Sequence, residues 1–168
     1  MNQMIQIPAE TLLGGLTTRA LAEALLARVS ANDAPSFEKL TAIPAIGQPW
    51  PGQGGIYAGV VRGRDGGPDY HLIVAEEDRN DIKWKPAMEW AAGLRIDGHN
   101  DFTLPWRAEQ AILFGNVPEL FQTTWYWSRE QPAELGAFAW YQSFDVGHQY
   151  DCRKTGEFRA RAVRRLVI

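Results

Sequence analysis

The sequence predicts an α+β domain behind a helical appendage, and three observations carry that expectation. Residues 17 to 31, TTRALAEALLARVSA, place Leu21, Leu25, Leu26 and Val29 at helical spacing. Residues 54 to 78 hold two strand-like runs, GGIYAGVVRGR and PDYHLIVAEED, around a Gly-rich turn. Beyond Pro118 come three more strand-like runs, TTWYWSRE, AFAWYQSFD and FRARAVRRLV, separated by turn residues.

Taken in order, the first helix has Thr17 or Thr18 as its cap. From Asn32 to Gly55, Pro35, Pro44, Pro49 and Pro51 break any periodicity, so the segment reads as a linker. The expected division is an appendage over residues 1–52, for docking or oligomerisation, and a binding domain over residues 53–168. The next two runs read as a β-hairpin. Lys85 to Leu94 read as a short helix, with Ala87, Met88, Trp90, Ala91 and Leu94 on its apolar stripe and Pro86 in its first turn. A second short helix runs from about Trp106 to Phe114 and is stopped by Gly115-Asn116. Short antiparallel strands follow, and early and late strands pair to close the domain.

Composition removes several functional classes. At 168 residues with 45% hydrophobic content the chain buries a core, which excludes wholesale disorder. Seventeen Lys+Arg against 20 Asp+Glu give a net charge of −3, so nucleic-acid binding driven by counterion release is not expected. The single cysteine, Cys152, excludes an intramolecular disulfide and any CxxC zinc or redox motif. The start MNQMIQIPAETLLGGL has no basic stretch leading into an apolar one, and no apolar run reaches the roughly 18 residues of a membrane span. No signal peptide and no membrane insertion are expected. Seven Trp, 5 Tyr and 7 Phe beside 16 Gly and 10 Pro suit a loop-rich domain pinned by large rings.

Three segments are more specific: HNDFTLPWRAEQ at 99–110, TTWYWSRE at 123–130 and AWYQSFDVGHQYDCRKTGEFRARAVRR at 139–165. Gly98, Asp101, Leu104 and Pro105, then Tyr126, Trp127 and Ser128, then Ala139, Trp140, Tyr141, Phe144 and Gly147, then Arg159, Arg161, Ala162, Val163 and Arg164 carry the pattern. Together they resemble the bacterial and phage family called domain of unknown function 1566, which includes the carboxy-terminal domain of a collagen-like adhesin. The resemblance spans Gly54 to Arg165, about two thirds of the chain. It departs at Phe102-Thr103, where the family has Trp-Arg, at Trp106, where a capping Thr or Ser is usual, and at Arg129, where a second Ser is usual. It implies a C-type-lectin-like fold of the formylglycine-generating-enzyme type. That scaffold serves adhesins, phage receptor-binding proteins and diversified binders, and fold alone does not fix function. The relatives that generate formylglycine use two cysteines, so that chemistry is absent here.

The expected ligand surface comprises Trp125, Tyr141, Gln142, Phe144, Asp145, His148, Gln149, Tyr150 and Asp151, mixing rigid aromatic area with donors and acceptors. Solvated loop residues are the plain alternative. On strand alternation Trp127 and Trp140 read as core and Trp125 as surface. The function expected is non-enzymatic binding of a host protein or a cell-surface glycan. The source implied is phage or prophage, acting as a virion component or as an inhibitor of a host defence protein, in the host cytoplasm or the virion. No cofactor is expected. Two alternatives stand beside this: a metal-dependent protein or enzyme using Asp145, His148 and Asp151, with Ca2+ as the ion, and a structural oligomer assembled through the amino-terminal helix. EEDRND at 76–81 reads as a solvated turn, and Arg159, Arg161, Arg164 and Arg165 as partners for the acidic stretch from Asp65 to Asp101.

Overall fold

The structure, a computed structural model, describes residues 42–168. The predicted helix over 17–31 lies outside the described residues. The compact unit containing them runs from Leu40 to Ile168, so the Pro-rich residues 44–51 belong to it.

Seven strands and two short helices make up the unit: β1 (Pro49–Trp50), β2 (Gly55–Val61), β3 (Tyr70–Lys83), α1 (Trp84–Gly93), α2 (Arg107–Asn116), β4 (Trp125–Trp127), β5 (Phe138–Ser143), β6 (Gln149–Arg153) and β7 (Glu157–Val167). All strands join one mixed sheet in the order β1-β2-β3-β7-β4-β5-β6. Every pairing is antiparallel except β4 with β7, which meet in parallel at Tyr126 and Arg159. The α+β expectation of a C-type-lectin-like domain built from short antiparallel strands is therefore corrected: the described chain is 40% strand and 18% helix, and the sheet dominates. The physical reason is strand length. The charged run Glu76–Asp81 does not turn but continues β3 to 14 residues, because β7 pairs with it from Val167 to Glu157. Register shifts after Val74 and Arg79 absorb the irregularity.

Tyr70 to Ala75 are all buried, as a central strand covered on both faces requires. Alternation sends Tyr70, Leu72 and Val74 to one face, where Leu113 of α2, Val117, Tyr126 and Phe144 complete a core. Ala75 goes to the other face, where Trp84, Ala87 and Ala91 of α1 pack on Trp127, Ala139, Ala160 and Ala162. Alanines on the sheet let α1 sit close. Trp50 of β1 closes a third cluster with Tyr57 and Ile73. Gly55 is obligatory, since a Cβ there would stand 2.1 Å from the Val74 carbonyl oxygen.

The second helix starts without a Thr or Ser cap. Trp106 occupies the N-cap with extended backbone, and Glu109 reaches back to accept from its amide at 2.7 Å. That is half of a capping box; an indole has no acceptor for the other half.

The candidate ligand-binding face

β4, β5 and β6 lie side by side, and strand alternation sorts their side chains onto two surfaces. Trp127 pairs with Tyr141 and Tyr141 with Tyr150, so these three share the face that also receives Trp125. Phe158 of β7 joins them. Its ring lies 5.2 Å from Trp125, 4.8 Å from Tyr141 and 4.4 Å from Trp127. Trp125 and Tyr141 are 5.8 Å apart, Tyr141 and Tyr150 6.2 Å, and Tyr150 and His148 5.9 Å. The result is a continuous aromatic layer.

Its inner end is core and its outer end is open. Trp127 is fully buried under α1 and donates its indole N–H to the Ile82 carbonyl at 2.8 Å. Trp125 and Tyr150 keep 48% and 54% of their surface exposed. Tyr141 between them is half-buried, and burial, ahead of its acidic neighbours, pushes its hydroxyl above the ordinary tyrosine value. At the edge, the Tyr150 hydroxyl and His148 Nδ1 stand 3.4 Å apart.

The opposite surface takes the other parity. Gln142 and Gln149 pair across β5 and β6, with Gln149 Nε2 donating to Gln142 Oε1 at 2.7 Å and to the Arg107 carbonyl at 2.7 Å. Gln142 in turn donates to the Gln110 carbonyl at 3.1 Å, and Gln110 to that of Tyr126 at 2.9 Å. This amide ladder fixes α2 to the sheet. Trp140 lies on the same surface under the Arg107 guanidinium, 3.6 Å from its ring centroid, and pairs with Asp151. Phe144 is buried, stacked on Phe121 at 3.9 Å.

The nine expected ligand residues are thus divided. Trp125, Tyr141, Tyr150 and His148 come together on one face. Gln142, Gln149 and Asp151 lie behind the sheet or on its far side, and Phe144 is core. Phe144, Asp145 and His148 sit in the β5–β6 turn; Gln142 belongs to β5, and Gln149, Tyr150 and Asp151 belong to β6, not to a loop. Gly147 makes that turn possible with φ of +77°. Among the described residues no three His, Cys, Asp or Glu side chains converge to hold a metal ion, so Asp145, His148 and Asp151 do not make a site. Phe158 is the residue the sequence reading missed; its parity within FRARAVRRLV, opposite to Arg159, was the available signal.

The arginines of β7 all meet carboxylates: Arg159, Arg161 and Arg164 within the expected stretch from Asp65 to Asp101, and Arg165 beyond it. Arg159 donates to Asp78 at 2.9 Å and Arg161 lies 3.5 Å from the same carboxylate. Arg164 donates to Asp101 at 2.7 Å, and Arg165 grips Glu109 in bidentate fashion at 2.6 and 2.7 Å. His71 meets the Tyr57 hydroxyl at 3.1 Å and His99 the Gly52 carbonyl at 2.8 Å, both structural contacts.

Among the described residues no helix is long and apolar enough to cross a membrane. No family model matches the chain, and no curated protein matches it.

Proposed function

We propose that this chain is a non-enzymatic binding protein whose ligand, a protein or a glycan, docks on the aromatic face of β4, β5 and β6. The observation that supports this is the exposure of Trp125 and Tyr150 at the open end of an ordered aromatic layer. Large rings held by their neighbours lose little rotamer freedom on binding and offer much area, the usual make-up of interface anchors. His148 supplies a polar group at the edge. Relationship to the domain of unknown function 1566 family, on the motifs at 99–165, is part of the proposal, and with it a phage or prophage origin and a role in receptor binding or in inhibiting a host protein.

The test is capture from host lysate in parallel with a glycan array, comparing the natural chain with a Trp125→Ala, Tyr150→Ala double variant. A ligand retained by the natural chain and lost by a variant of unchanged melting temperature supports the reading. A ligand retained equally by both rejects this face.

A further inference from the structure

We propose that β6, the open edge of the sheet, pairs antiparallel with β6 of a second copy of this chain, about a two-fold axis at Cys152. β6 bonds to β5 alone, whereas the far edge is β1, two residues that include Pro49. The Ser143 amide donates to the His148 carbonyl at 2.9 Å, and the Lys154 amide to that of Ala137 at 2.9 Å. Even-numbered residues of β6 therefore bond to β5, and alternation turns the amides and carbonyls of Gln149, Asp151 and Arg153 outward. Among the described residues these three amides have no partner. The Arg153 carbonyl accepts from the Gly156 amide at 2.8 Å and keeps its second lone pair.

The side chains decide what fits this edge. Asp151 and Arg153 have opposite charge, share one surface of β6 by alternation, and form no ion pair among the described residues. Arg153 is exposed, with its guanidinium 5.3 Å from the centre of the Phe138 ring across the ladder. Charges on an edge ordinarily deter strand pairing. An antiparallel copy centred on Cys152 reverses that effect, because Asp151 of each copy then faces Arg153 of the other and both charges are matched. Centring on Asp151 would set two carboxylates face to face. Centring on Tyr150 would set Arg153 opposite Gly147 and leave it unmatched.

The same register suits the backbone. Asp151 and Arg153, whose amides and carbonyls already point outward, become hydrogen-bonded pairs across the axis. Cys152 meets its own copy on the axis as a non-hydrogen-bonded pair, where Cα atoms stand about 4.5 Å apart, and a small side chain fits that approach. The surface is self-complementary, as a two-fold interface requires. With the axis perpendicular to the sheet, both copies turn Trp125 and Tyr150 to the same side, so the dimer presents two aromatic faces together. The pairing itself does not depend on what those faces bind.

Sedimentation velocity of the full chain over a rising concentration series tests this. The natural chain should form dimers. Asp151→Arg alone and Arg153→Asp alone should each raise the dissociation constant about tenfold or more, because both ion pairs become like-charge pairs. An equimolar mixture of the two variants should dimerise as the natural chain does, since one variant then supplies only arginines and the other only aspartates at the paired positions. That rescue also shows that both variants are folded. Dimers of undiminished strength in both single variants, or a mixture no better than its components, place any interface elsewhere and overturn the proposal. A natural chain that stays monomeric throughout the series also overturns it, and leaves the edge to a strand of another protein.

Discussion

At the residue scale the account separates rings that hold the fold from rings that face solvent. Tyr150→Ala should weaken ligand binding by about 1–3 kcal/mol and leave the thermal midpoint unchanged, since more than half of the ring is exposed. Trp127→Ala, by contrast, should cost about 3–5 kcal/mol of stability in a denaturant titration. Glu109→Gln should cost about 3 kcal/mol by the same measurement, because Arg165, Tyr70 and the Trp106 amide all depend on that carboxylate. Tyr70 makes a pH prediction. Burial, and then its bond to Glu109, push its hydroxyl up to about 12. In the unfolded chain it ionises near pH 10. Between those values the unfolded state holds fewer protons than the folded one, so stability falls as pH rises. The expected loss is about 1.4 kcal/mol per pH unit, to about 3 kcal/mol in all. Unfolding free energies measured across that window, with and without Tyr70→Phe, isolate the effect. The variant should lose the slope.

At the element scale, both helices were legible because their apolar stripes are periodic, with Pro86 in the first turn of one and Gly115-Asn116 at the end of the other. The strands were legible where Val, Ile, Trp and Tyr alternate. β6, QYDCR, was not. It has no apolar alternation because one of its faces meets the polar ladder through Gln149 and the other holds Tyr150 and Cys152. β1 is two residues in a Pro-rich stretch, and only Trp50, buried against Tyr57 and His71, shows why it belongs to the sheet. The ligand surface was half legible for the same reason: sequence proximity placed Gln142 through Asp151 on one surface, whereas strand alternation splits them between two faces. The β5–β6 turn has its own test. Gly147 has φ of +77°, and a Cβ there would stand 2.8 Å from the Phe114 ring. Gly147→Ala should therefore destabilise by about 2 kcal/mol in chemical unfolding.

At the scale of the whole molecule, β7 is the element on which the sheet depends. It lies between β3 and β4, so that within the backbone ladder of the sheet β1-β2-β3 and β4-β5-β6 are joined only through it. Its arginines anchor both sides, Arg159 through Asp78 and Tyr126, and Arg165 through α2. A chain ending at Gly156 should lose its cooperative unfolding transition in circular dichroism, because each half-sheet then exposes an open edge and an uncovered core. The arginine pairings were legible as charge complementarity. The dominance of the sheet was not, because a run such as EEDRND looks like a turn unless the strand that pairs with it is known.

The central claim is that ligand meets the open end of the aromatic face, and site-directed photo-crosslinking tests it most directly. A photoreactive phenylalanine analogue is placed in turn at positions 125 and 150, and at position 60, where Val60 is exposed on β2 away from that face. The account predicts ligand adducts from positions 125 and 150 and none from position 60. Adducts from position 60 alone, or equal yields from all three, would contradict it.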